Sequence, residues 1–138
     1  MKQVLVIDDE AYVREALQRV LEGPDTTVVC AATALQGLER LRDVAIDVLI
    51  MDLVLPGEDS IDAIATVRRN WPATRVLAIS GGGMQGVDDY QPEAIATQAY
   101  MAAARKAGAD AVLAKPFATA QLREQLGQLL APRDAVPA

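Results

Sequence analysis

Histidine is missing altogether from the 138 residues of this chain. Its absence excludes Ser-His-Asp and Cys-His catalysis, removes every histidine-ligated metal site, and means that the chain cannot itself carry phosphohistidine. Cysteine is nearly missing too. Cys30 stands alone within the apolar run Val28-Val29-Cys30-Ala31, so no internal disulfide can form and the thiol reads as a small core residue. Aromatics number one Trp, one Phe and three Tyr, which leaves Val, Leu, Ile and Ala to build the core. No apolar run reaches the length of a bilayer. Met1-Lys2-Gln3 leads into only four apolar residues before three acids, too short for a secretory segment. Positive charge is also short: the net charge is −6 and no basic run occurs, which speaks against a general affinity for nucleic acid. A cytoplasmic setting without a membrane partner is expected, with chemistry confined to carboxylates, hydroxyls and lysines.

What is present is regular. Just over half of the chain, 51%, is hydrophobic, enough to bury the core of one domain of this length. Five short apolar runs recur: Val4–Ile7, Val28–Ala31, Val48–Met51, Val76–Ile79 and Ala111–Ala114. None alternates with polar residues, the pattern of strands buried on both faces of a parallel sheet. Helical patterns fill the gaps. Val13, Leu17, Val20 and Leu21 share one helix face, which Gly23-Pro24 ends. Thr33 to Gln36 has the form of a capping box, opening a helix with Leu35, Leu38 and Leu41 inward. Further helices are predicted from about Ser60 to Asn70, Pro92 to Ala107 and Thr119 to Leu130. Strict β-α alternation predicts an α/β, doubly wound sheet with helices on both faces. The domain is expected over 1–131, with 132–138 a frayed tail.

In such a sheet, ligands bind beyond the carboxyl ends of the strands. Strand one ends in Asp8-Asp9-Glu10, strand three in Asp52, strand four in Ser80 and strand five in Lys115-Pro116. Each residue alone has a structural reading: Asp8 or Asp9 as a helix cap, Asp52 and Ser80 as turn residues, Lys115 as a surface cation. All of them falling at one sheet edge argues for a site. Crowded carboxylates call for a cation, and oxygen donors without His or Cys select Mg²⁺ over zinc. Mg²⁺ takes few protein ligands, which leaves Asp52 able to attack phosphorus, with Ser80 and Lys115 placed to stabilise phosphoryl oxygens.

These residues carry a resemblance. Val6-Ile7-Asp8-Asp9-Glu10, Met51-Asp52-Leu53-Val54-Leu55-Pro56-Gly57, Ala78-Ile79-Ser80-Gly81 and Lys115-Pro116-Phe117, in that order, are similar to the receiver domain of two-component response regulators. The resemblance implies a flavodoxin-like strand order 2-1-3-4-5. It implies transfer of phosphate to Asp52 from a sensor histidine kinase or a histidine phosphotransfer protein, forming 4-aspartylphosphate. Asp8, Asp9, Asp52 and the Val54 carbonyl would serve Mg²⁺, Ser80 and Lys115 the phosphoryl oxygens, and the Lys115–Pro116 peptide would be cis. Ser80 would act as a switch residue, altering the face of helix four, strand five and helix five and so the binding of a downstream protein. The donor would dock near Ala11, Arg14, Glu15 and Phe117.

Three positions depart from the family pattern. Val112 stands where an aromatic switch residue is usual. Ser60 stands where a glycine is common. The chain between Ser80 and Lys115 is longer than a usual receiver has, the excess falling in Gly81 to Gln91, which reads as a mobile loop or as a lid over the phosphoaspartate. Other readings are a phosphorelay intermediate, a degenerate receiver used only for docking, and a Mg²⁺-dependent phosphatase with an aspartyl nucleophile. The intact acidic set argues against the docking module. The phosphatase needs an acid two positions after the nucleophile, where this chain has Val54. A phospho-acceptor rather than an enzyme acting on other substrates is expected.

Overall fold

The continuous apolar runs lie in one parallel sheet; Val4–Ile7, Val48–Met51 and Val76–Ile79 are buried throughout, whereas Val28–Ala31 and Ala111–Ala114, at its edges, are only partly buried. In the computed structural model of the chain, described over residues 1–80 and 91–131, the strands are β1 (Lys2–Ile7), β2 (Thr26–Ala31), β3 (Val48–Asp52), β4 (Arg75–Ser80) and β5 (Ala111–Ala114). Their order is β2-β1-β3-β4-β5, and every pairing is parallel. The helices are α1 (Ala11–Leu21), α2 (Ala34–Asp43), α3 (Ser60–Asn70), α4 (Gln91–Ala107) and α5 (Thr119–Leu130). The predicted loop from Gly81 and the predicted tail at 132–138 fall outside the described residues, apart from Gln91, which begins α4.

Alternate residues of each strand feed opposite faces. Leu5, Ile7, Leu49, Met51, Val76 and Ala78 pack with residues of α2, α3 and α4. Val4, Val6, Val48, Ile50, Leu77 and Ile79 pack with Leu17 and Leu21 of α1 and with Leu122, Leu126 and Leu129 of α5. Cys30 belongs beside this second cluster, half-buried, and burial pushes its thiol pKa up. Among the described residues no helix is long and apolar enough to cross a membrane.

Helix α2 corrects one expectation. Leu35 does not face the sheet; it is 62% exposed, whereas Ala34, Gly37 and Leu41 are buried and Leu38 packs partly. The reason is a close approach of α2 to β1. A Cβ at Gly37 would overlap Ile7 Cδ1 and lie 2.8 Å from its Cγ1. Gly37→Ala is therefore expected to destabilise the fold by about 1–3 kcal/mol, as overpacking does. The loss is moderated because Ile7 can shift its side-chain end. Urea denaturation would measure it, and an unchanged midpoint would show that the helix simply moves away. The predicted cap is present in modified form. Thr33 Oγ1 accepts from Gln36 N at 3.1 Å, but the Gln36 side chain reaches back to Ala32 N, at 3.0 Å, not to the cap residue itself.

Far from the acidic edge, Arg68 ties three elements together. Its Nη2 donates to Gly108 O at 2.7 Å and to Asp110 Oδ2 at 2.6 Å, and its Nη1 donates to Pro72 O at 3.1 Å. Asp110 Oδ2 also accepts from Val76 N at 2.8 Å. The carboxyl ends of α3 and α4 are thus pinned to the start of β4 and the approach to β5.

Candidate functional site

Register brings the strand ends together. Ile7 pairs with Met51, Asp52 with Ile79, and Ser80 with Ala114, so the residues that follow β1, end β3 and β4, and follow β5 share one edge. The chain leaves β3 and β5 through a short hydrogen-bonded step. Leu53 N donates to Ile79 O at 2.8 Å, and Lys115 N donates to Ser80 O at 2.9 Å. The Lys115–Pro116 peptide is cis.

Asp52 is buried, and both its oxygens are engaged. Oδ1 accepts from Val54 N at 2.8 Å, and Oδ2 lies 3.3 Å from Lys115 Nζ. The same ammonium lies 3.8 Å from Asp8 Oδ2. Asp8 is only 3% exposed, its Oδ1 accepting from Glu10 N at 2.9 Å. Burial pushes the Asp8 carboxyl up to about 6. The Glu10 N–H opposes that rise, the charge of Asp52 adds to it, and Lys115 opposes it more weakly. Two buried acids therefore share one lysine. Asp9 and Glu10 are exposed, and their carboxylate oxygens with that of Asp8 lie within 4.8 Å of one another. This donor set is all oxygen and under mutual repulsion, which fits a hard divalent cation. Asp52 adjoins the group on the Asp8 side, while Val54 is half-buried with its N–H held by Asp52.

Ser80 is 2% exposed, and its Oγ has no hydrogen-bond partner among the described residues. A buried hydroxyl left unpaired is costly, and such a group marks a place where a ligand acceptor fits. Val112 is half-buried and packs against the core on the α2–α4 side of the sheet.

Several residues support the site without a role within it having been assigned from the sequence. Glu10 joins the acidic group. Arg14, expected as a docking residue, donates from Nη1 to the main-chain oxygen of Asp8 at 2.7 Å. Ser60, in the position where a glycine was expected, donates from Oγ to Asp52 O at 3.4 Å. Glu58 caps α2 from outside that helix. Only Glu10 carried a sequence signal, its adjacency to two aspartates; the others depend on contacts across loops.

Comparison with known proteins places the fold in a family. Residues 4–127 match the family described as the response regulator receiver domain. The chain is 32% identical over 133 residues to protein-glutamate methylesterase/protein-glutamine glutaminase 5 of Myxococcus xanthus, covering 94% of this chain but only 35% of that protein. It is 25% identical to the chemotaxis protein CheY of Listeria monocytogenes, covering 91% of this chain and 96% of CheY. The crystal structure of response regulator protein TrrA from Thermotoga maritima in complex with Mg(2+)-BeF shares the fold. It has a TM-score of 0.72 at 22% identity and covers 94% of this chain and all of that one.

Proposed function

The chain belongs to the response regulator receiver family, and on that premise we propose that Asp52 is the aspartate on which it accepts its phosphoryl group. Receiver domains are signalling domains that take phosphate from histidine kinases or phosphotransfer proteins. Here the donor would be a sensor histidine kinase or a histidine phosphotransfer protein of the cytoplasm. A bond forms between an Asp52 oxygen and phosphorus, the P–N bond to the donor imidazole breaks, and its electron pair returns to that nitrogen.

The observation that carries this reading is the placement of Asp52 and Asp8 around one ammonium, Lys115 Nζ, at 3.3 and 3.8 Å. Asp8, Asp9, Asp52 and the Val54 carbonyl would hold Mg²⁺, with Glu10 adding a nearby negative charge. Bound there, the metal supplies charge neutralisation between the acids and the incoming phosphoryl oxygens. The Mg(2+)-BeF complex of the Thermotoga receiver supports that choice of ion. Lys115 offers a positive charge to the phosphoryl oxygens, and the Ser80 hydroxyl offers a donor. The valine at position 54, two residues beyond Asp52, leaves the phosphatase reading without its second acid. Output runs through phosphorylation-dependent binding of a downstream protein, with Ser80 as switch residue. Half-buried Val112 takes the place of a ring that rotates.

Incubation with Mg²⁺ and acetyl phosphate, followed by intact mass, tests the reading: a single phosphate adduct is expected, and none should form in excess EDTA. A chain that stays unmodified with Mg²⁺ present would reject it. Ser80→Ala separates the hydroxyl's role from stability. Losing an unpaired buried hydroxyl leaves the unfolding midpoint unchanged or higher. A hydrogen bond to a charged oxygen is worth about 1.5–3 kcal/mol, so the initial rate of adduct formation should fall roughly tenfold or more. A variant that loses stability but keeps its rate would contradict that role.

A further inference from the structure

The segment that joins β3 to α3 carries Val54, and one of its acids reaches across to another helix. Both oxygens of Glu58 lie on Ala34 N, at 3.0 and 2.9 Å, although the two residues are 24 positions apart. Ala34 is the first residue of α2, and its N–H is one of the donors that a helix start leaves unpaired. A carboxylate there is also favoured by the helix dipole. The other local acceptors are committed elsewhere: Thr33 Oγ1 takes Gln36 N and Gln36 Oε1 takes Ala32 N.

The rest of the segment is fixed from its own ends. Ser60 Oγ donates to Asp52 O at 3.4 Å, Val54 N donates to Asp52 Oδ1 at 2.8 Å, and Glu58 N closes a turn on Leu55 O at 3.0 Å. Gly57 supplies the positive φ of 75° that this turn needs. Leu53 and Leu55 are buried on either side of Val54. The outer limb, Pro56 to Asp59, is exposed or half-buried, and among the described residues Glu58 is its tie to another helix.

We propose that Glu58 is a positioning residue for the metal site: by clamping the β3–α3 segment to the start of α2, it fixes the main chain at Val54 whose carbonyl serves Mg²⁺. The inference rests on the Mg²⁺ site proposed above. It adds that the site's geometry is held from a helix with no ligand in the site. Outer residues that orient ligands typically change metal affinity by tenfold or more when removed.

The test is a Mg²⁺ titration of the full chain, without phosphodonor, followed by amide shifts in ¹⁵N-correlated NMR spectra. Glu58→Ala should bind Mg²⁺ about tenfold more weakly than the natural chain. Glu58→Gln, which keeps an acceptor oxygen for Ala34 N, should recover most of the affinity. Thr33→Ala removes a neighbouring cap of the same helix and serves as the control for helix stability alone. It should lower the unfolding midpoint and leave Mg²⁺ affinity within about twofold, since the side-chain bond of Thr33, to Gln36 N, lies at its own helix. Equal losses of affinity in Thr33→Ala and Glu58→Ala would reduce Glu58 to a helix cap and overturn the proposal. So would natural affinity in a folded Glu58→Ala, while the metal site itself would stand. No saturable shift in the natural chain would overturn the metal site and this inference together. Should Glu58→Ala not fold, Glu58→Gln against Thr33→Ala decides the matter. The clamp then requires the glutamine variant to stay within about threefold of the natural affinity, because one of two acceptor oxygens remains.

Discussion

Asp52→Asn is expected to abolish the phosphate adduct formed with Mg²⁺ and acetyl phosphate while leaving the fold intact. Asparagine keeps the shape of the side chain and an oxygen for Val54 N, now at 2.8 Å from Oδ1. It lacks the carboxylate proposed to attack phosphorus, and an amide oxygen is not a nucleophile of comparable strength. The rate should fall below detection, a loss of more than about a hundredfold. Asp8 is the natural rival as acceptor because it lies on the same lysine. Geometry favours Asp52, which lies 3.3 Å from Lys115 Nζ against 3.8 Å for Asp8. Intact mass settles the matter. An adduct that persists in the Asp52→Asn protein would move the acceptor role to Asp8 or Asp9.

Asp8→Asn should stabilise the metal-free protein, and more so as pH rises. The Asp8 carboxyl goes from 3.8 in an unperturbed chain to about 6 when folded. Between those values the folded state holds the proton more tightly than the unfolded one. The natural chain therefore loses stability through this group as pH climbs from about 4 to about 6, and the full cost is present above that. A shift of this size corresponds to about 3 kcal/mol. Asparagine does not ionise, so the stability difference between variant and natural chain should be small near pH 4 and approach about 2–3 kcal/mol at pH 7.5. Urea denaturation in EDTA at the two pH values measures it, and comparing the variants cancels the titration of all other acids. Mg²⁺ should narrow the gap by stabilising the natural chain through binding. A difference that is flat with pH, or that favours the natural chain at pH 7.5 in EDTA, would remove the burial argument.

The strands were legible because a parallel sheet covered on both sides needs unbroken apolar runs, and Val4–Ile7 or Val76–Ile79 offers nothing else. The acids, Ser80 and Lys115 were legible as strand ends for the same reason: once a run is placed, the polar residue after it falls at the sheet edge. Strand order was not contained in those runs; it came with the family resemblance. Leu35 misled because a large apolar residue at helical spacing reads as inward, whereas the inward position at that turn belongs to Gly37. Close packing against Ile7 demands the smallest residue there, and glycine leaves no trace in a hydrophobic pattern. Glu58 and Arg14 were illegible as site supports for a different reason. Each acts on a main-chain group, and a peptide N–H or C=O has no sequence of its own.

Lys115 sits between two carboxylates and can neutralise only one unit of their charge. At neutral pH this edge of the sheet therefore projects an anionic field, reinforced by Asp9 and Glu10 alongside. That field slows the approach of phosphate groups, which carry the same sign, and a bound divalent cation would offset it.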